Sequence, residues 1–176
     1  MTLEYPVAEN EGEEDNTYLS YNMVVGNAAD SQMAMAFEVL DYALLSAPGA
    51  PLKQALLDVK AGKDVYGSYD DGILQPYFTV IAKGSNPDRK EEFVSVIRQV
   101  LGDIVKNGID KKAVEAGINY FEFRYREADF SSYPKGLMYS LDILGDWLYE
   151  KGNPFAQVQQ LSLIHISEPT RHAQIS

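Results

Sequence analysis

The residues most able to do chemistry crowd at the start of the chain. Glu4, Glu9, Glu11, Glu13, Glu14 and Asp15 stand there with no Lys or Arg among the first sixteen positions. Clustered carboxylates are what a hard cation such as calcium takes as ligands. A calcium loop, however, alternates its ligands around a central glycine, and this run does not keep that spacing. The plainer reading is a solvated acidic connector over residues 1–16, carrying six of the eleven net negative charges. Zero cysteines exclude disulfides, thiolate metal sites and thiol nucleophiles. Both histidines, His165 and His172, fall after Gln160, so acid–base and zinc chemistry through imidazole is confined to the last stretch of the chain. Met33 and Met35 could offer soft ligands, but methionine at helical spacing is ordinarily core filling. Arg124-Tyr125-Arg126 places a ring between two cations, as nucleic-acid binders do, yet in a chain of net charge −11 it reads as a solvated helix face. No catalytic, metal-binding or cofactor-binding residue is therefore assigned, and substrate-binding residues are left unknown.

The composition bounds the rest. With 176 residues, 45% of them hydrophobic, the chain can bury one real core. Its negative charge repels phosphate backbones and acidic lipid headgroups, which argues against nucleic acid and membrane surfaces as partners. No apolar run approaches the roughly 20 residues that span a bilayer, and no basic segment followed by an apolar one opens the chain. The expectation is a cytoplasmic protein.

The elements that would position any site centre on residues 61–84. Val65 to Tyr69 and Ile73 to Ala82 are rich in β-branched and aromatic residues, with Asp70-Asp71-Gly72 between them, and predict a hairpin. Pro76 cannot donate to a ladder, so the second strand is expected to lie at a sheet edge or to bulge there. Tyr77, Thr79 and Ile81 alternate with Phe78, Val80 and Ala82, an apolar pattern on both faces that predicts a sheet covered on both. Upstream, Thr17 to Val25 alternates Leu19, Tyr21, Met23 and Val25 against Ser20 and Asn22, the pattern of a half-buried strand.

Helices flank these strands. Asp30 is the expected N-cap of a helix with the stripe Met33, Phe37, Leu40 and Leu44, stopped by Pro48-Gly49. Pro51 opens a short helix with Leu52, Leu56 and Val59, ended by Gly62. After Asn86-Pro87 the stripe Phe93, Ile97, Val100 and Ile104 runs to Gly108. Asp110 caps the next helix, with Val114, Ile118, Phe121 and Tyr125 inward and a surface pair Glu122–Arg126. Ser131 to Pro134 breaks it, and Leu137, Leu141, Leu144, Trp147 and Leu148 make a last helix ending at Gly152-Asn153-Pro154. Segregated strands and paired helices define an α+β fold, an antiparallel or mixed sheet with helices over it.

The order of these elements, with NTYLSYNMVVG, SAPGAPLKQALLD, GSYDDGILQPYFTVIAKG, KNGIDKKAVEAGINYFEFRYRE and SSYPKGLMYSLDILGDWLYEKGNP, resembles the second domain of the presequence proteases, zinc metallopeptidases of the pitrilysin and insulinase superfamily. The resemblance covers about Tyr5 to Phe155. It implies a chamber of two half-shells that closes around an unfolded peptide. Zinc would be held in the first domain by an inverted His-x-x-Glu-His motif, absent here, whose Glu activates a metal-bound water. The second domain would serve as chamber wall and carry no zinc, so no catalytic residue transfers to this sequence. The implied partners are the catalytic and C-terminal domains of the same polypeptide and, in the parent enzyme, peptide substrates. A non-enzymatic scaffold or interaction module of the same fold is the alternative.

Leu161 to Arg171, LSLIHISEPTR, resembles something else: the translation of a transposase-derived adapter used in shotgun DNA sequencing. The expected division is thus a connector over 1–16, a non-catalytic domain over 17–155, a truncated continuation over 156–160 and an adapter-derived stretch over 161–176.

Overall fold

The computed structural model describes residues 1–7, 12–28, 30–127 and 133–148. The connector residues 8–11, the break at 128–132 and everything from 149 onward, with Gly152-Asn153-Pro154 and the LSLIHISEPTR stretch, lie outside the described residues.

Three strands form one antiparallel sheet in the order β1-β3-β2. Strand β1, Thr17–Val24, pairs Leu19 with Ala82, Tyr21 with Val80 and Met23 with Phe78 of β3, Tyr77–Ser85. Strand β2, Asp64–Asp70, pairs Val65 with Ala82, Gly67 with Val80 and Tyr69 with Phe78. The alternation read from β1 holds, because a two-residue period puts all these side chains on one face. Two expectations for β3 do not hold. It is the central strand, with Pro76 buried just ahead of it, where a missing N–H costs no ladder bond. Ile73 and Leu74 are exposed in the connection, whose carbonyls at Leu74 and Pro76 accept from the amides of Ala28 and Val25. That connection is longer than a tight turn, with Asp70 Oδ1 accepting from the Gly72 amide at its start.

Helix α1, Ser31–Asp41, begins as expected: Asp30 Oδ1 accepts from the Met33 amide at 3.0 Å. It then widens into a π turn, Tyr42–Ser46, closed by a bond from the Ala47 amide to the Tyr42 carbonyl at 2.7 Å. Within the wider turn Ala43, Leu44 and Leu45 are all buried, whereas Met33 at the start of α1 is partly exposed. Helix α2, Pro51–Asp58, buries Leu52 and Leu56 completely. It is not Gly62 that ends it. The Ala61 amide bonds the Leu56 carbonyl and the Lys60 amide that of Leu57, with Lys60 in the left-handed region at φ 55°, the double closure usually given to glycine. Gly62 serves another purpose, since a Cβ there would stand 2.7 Å from the Lys83 carbonyl.

A turn at Pro87–Arg89 leads into α3, Lys90–Asn107, which seats Phe93 and Ile97 in the core and stops at Gly108, φ 85°. With Leu19, Leu44, Leu45, Leu52, Leu56, Val65, Phe78, Val80 and Ala82 they form one cluster between the sheet and α1 to α3. Helix α4, Lys111–Glu127, turns differently from the expectation. Ile118 is 50% exposed, and the buried position is Gly117, where a Cβ would meet Val39 Cγ1 at 3.2 Å. The close approach lets Tyr42 stack on Tyr120 at 4.8 Å and meet Phe121 edge-on. The side chains of Tyr125 and Arg126 lie outside the described residues. Helix α5, Lys135–Leu148, carries the expected stripe, but Leu137, Leu141, Leu144, Trp147 and Leu148 are exposed.

Candidate functional site

Helices α1 to α3 pack on one face of the sheet and α4 on α1, whereas the residues of the second face, expected to be covered as well, are in large part exposed. Among the described residues the second face is open at its edge strands, where Tyr18, Val24 and Tyr66 are exposed, while Thr79 at its centre is buried. Lining it are Tyr18, Ser20, Asn22 and Val24 from β1, Tyr77, Thr79, Ile81 and Lys83 from β3, and Asp64, Tyr66, Ser68 and Asp70 from β2, placed there by the same alternation that sends Leu19, Phe78 and Val65 into the core. Its polar groups hold one another. Thr79 Oγ1 donates to Asn22 Oδ1 at 2.9 Å, Ser20 Oγ to the same oxygen at 3.1 Å, and the Tyr77 hydroxyl to Asp70 Oδ2 at 3.0 Å. The Asp70 bond, and then its charge, raise the Tyr77 pKa. Lys83 Nζ sits 5.9 Å from the Tyr18 ring, and Tyr5 meets that ring edge-on. Lys53 pairs with Asp64 at 3.2 Å at the rim of β2.

This surface presents rings, hydroxyls and amides, with the Tyr77 hydroxyl held on Asp70. Sequence reasoning missed it as a site because the apolar pattern of Tyr77 to Ala82 was expected to be covered on both faces. The signal lay in the polar half of the alternation, Ser20, Asn22, Ser68 and Thr79. Among the described residues no three His, Cys or carboxylate side chains converge to hold a metal, and both histidines lie outside them. The donor set of the described residues therefore does not fit a zinc ion. No described helix is long and apolar enough to cross a membrane.

The described residues form an α+β layer, and the comparisons with known proteins say which family it belongs to. Residues 2–121 match the family model described as the Peptidase M16 inactive domain. The chain belongs to the M16 peptidase family, as an inactive domain of it. It is 43% identical to Protein HypA of Clostridium perfringens over 155 residues, 88% of this chain and 16% of that protein. It is 33% identical over 127 residues, 72% of this chain and 12% of the relative, to the Arabidopsis thaliana presequence protease 1, chloroplastic/mitochondrial. The mitochondrial presequence protease of Xenopus laevis is 26% identical over 80% of this chain and 14% of its own length. The chain thus spans less than a fifth of these relatives. Its fold matches the crystal structure of an inactive peptidase domain, from a Bordetella parapertussis protein described as a zinc protease, with a TM-score of 0.66 at 12% identity over 86% of this chain and 79% of that one. The resemblance to presequence proteases read from the sequence, and the α+β class with it, hold.

Proposed function

We propose that residues 17–155 form a non-catalytic wall of a zinc metalloendopeptidase that degrades unfolded peptides, the zinc and the activated water belonging to another domain of the same polypeptide. The observation that carries this reading is the open sheet face. A surface of aromatic rings and paired hydroxyls contacts peptides of many sequences without demanding one, and β1 and β2 offer strand edges to an extended chain. The exposed stripe of α5, with Ile118 and Phe123 of α4, is the surface suited to meet the remaining domains. A cytoplasmic location fits an acidic, cysteine-free chain.

The test has two arms. The reading frame upstream of Met1 is searched for an inverted His-x-x-Glu-His motif, and an in-frame stop close upstream sinks the proposal in favour of a scaffold or interaction module. In the full-length protein, a photoreactive unfolded peptide should label segments of β1 and β3. Label confined to α3, on the opposite side of the sheet, would count against the wall reading.

A further inference from the structure

The apolar side chains of α1 and the π turn divide between two partners. Phe37, Leu40 and Leu44 turn to the core cluster, whereas Val39 and Tyr42 turn to α4. Among the described residues α4 adds nothing to that cluster or to the shell packed against it, and leans instead on α1 and the π turn. Its seat there is small. Gly117, the one buried residue of α4 among those described, lies so close that a Cβ would stand 3.2 Å from Val39 Cγ1 and 3.3 Å from Tyr42 Cδ1. One turn further on, Tyr120 stacks on Tyr42 with ring centroids 4.8 Å apart, and Phe121 meets the same ring edge-on at 6.4 Å.

The two sides of this seat are held differently. Tyr42 opens the π turn, whose Ala43, Leu44 and Leu45 are buried, and Leu45 lies so close to Gly67 of β2 that no Cβ fits between them. The turn is thus clamped to the sheet. Helix α4 is finished at its own start: the Gly108 amide closes α3 on the Ile104 carbonyl at 2.8 Å, and Asp110 Oδ1 accepts from the Lys112 amide at 2.9 Å. Ile109 packs against the core, so rotation between Ile109 and Asp110 breaks no bond of either helix. We infer that α4 is a hinged arm, latched to the domain by Tyr42 against Gly117, Tyr120 and Phe121 and able to lift from α1 about the Ile109–Asp110 joint while the core stays folded. A segment with few buried apolar contacts opens at a lower free energy than the whole. The arm carries Ile118 and Phe123, 50% and 66% exposed, and lifting it uncovers Val39 and Tyr42 as well, so the latch sets how much apolar surface the domain shows. The inference does not rest on the chamber-wall reading.

Native-state hydrogen exchange on the full 176-residue chain, followed amide by amide, tests this. Amides of α4 should open at a lower free energy than those of α2 and of the β2–β3 pairing. Tyr42→Ala weakens only the latched state and should speed α4 exchange about tenfold, the worth of an aromatic pair, while Tyr42→Phe keeps the parent rate. Ile97→Val weakens the core in the latched and lifted states alike, so it should speed the α2 and β2 amides several-fold and leave those of α4 unchanged. Gly117→Leu separates docking from helix formation. Leucine is the better helix former but does not fit against Val39, so far-UV helicity should hold while α4 exchanges faster. An α4 whose exchange Ile97→Val speeds as much as that of α2 opens only with the core, and that result, or an α4 rate unchanged in Tyr42→Ala, overturns the proposal.

Discussion

At the scale of single residues, Gly67 is where the helical layer presses hardest on the sheet. A Cβ there would overlap Leu45 Cδ1 and stand 2.7 Å from Asp41 Oδ1 and 2.9 Å from the Thr79 carbonyl. Two of these three obstacles are a core side chain and a backbone atom, which cannot swing aside. Gly67→Ala should therefore lose about 1–3 kcal/mol or more, as overpacked cores do. Gly102, inside α3 with nothing near its missing Cβ, is the control: Gly102→Ala should gain about 0.5–1 kcal/mol. Denaturant unfolding of the two variants checks both signs. Asp41, pressed against Gly67, has a buried Oδ1 without a partner among the described residues. Burial, the larger influence, raises its pKa above the ordinary 3.8, against a smaller opposing hydrogen bond from Ser46. The unfolded chain gives up this proton first, so between pH 3.8 and the raised value stability falls as pH climbs. Asp41→Asn should be more stable than the parent at neutral pH and lose that advantage in acid. Equal midpoints across that range would remove Asp41 from the account. None of these residues announced itself in the sequence, since Gly67 reads as a weak strand residue until the π turn lands on it.

At the scale of elements, what was legible was periodicity. Leu19, Tyr21 and Met23, or Phe93 and Ile97, could be assigned because a strand or helix fixes which positions share a face. The π turn at Tyr42–Ser46 was not legible, because a single i→i+5 bond leaves the composition of a helix unchanged. Gly62 was misread for a related reason. Lysine at the left-handed position hid the true stop, and a glycine two residues later looked like one. Periodicity also says nothing of what an apolar stripe packs against. Leu52 and Leu141 have the same helical pattern, yet Leu52→Ala should cost about 2–5 kcal/mol, while Leu141→Ala, half exposed, should cost under about 1 kcal/mol. Urea midpoints of the two variants test the distinction between core and bare stripe directly.

At the scale of the whole molecule, the bare stripe of α5 has a consequence for behaviour in solution. Interfaces between domains of one chain bury on the order of 600–1,500 Å², and an apolar surface of that size left open promotes association. The isolated chain should self-associate or bind a hydrophobic dye, and Leu141→Glu with Leu144→Glu should reduce both without lowering the thermal midpoint. A monodisperse parent with no dye binding would favour a free-standing module. The sheet order carries a different consequence, in time. Because the central strand is the last of the three in sequence, no pair can form until Tyr77 has left the ribosome. Strand β2 then has its partner a short connection away, whereas β1 must close a loop of more than fifty residues. Late docking of an edge strand implies early release. In native-state hydrogen exchange, the amides that bind β1 to β3 should open at lower free energy than those that bind β2 to β3, making the N-terminal strand the first part of the sheet to come and go.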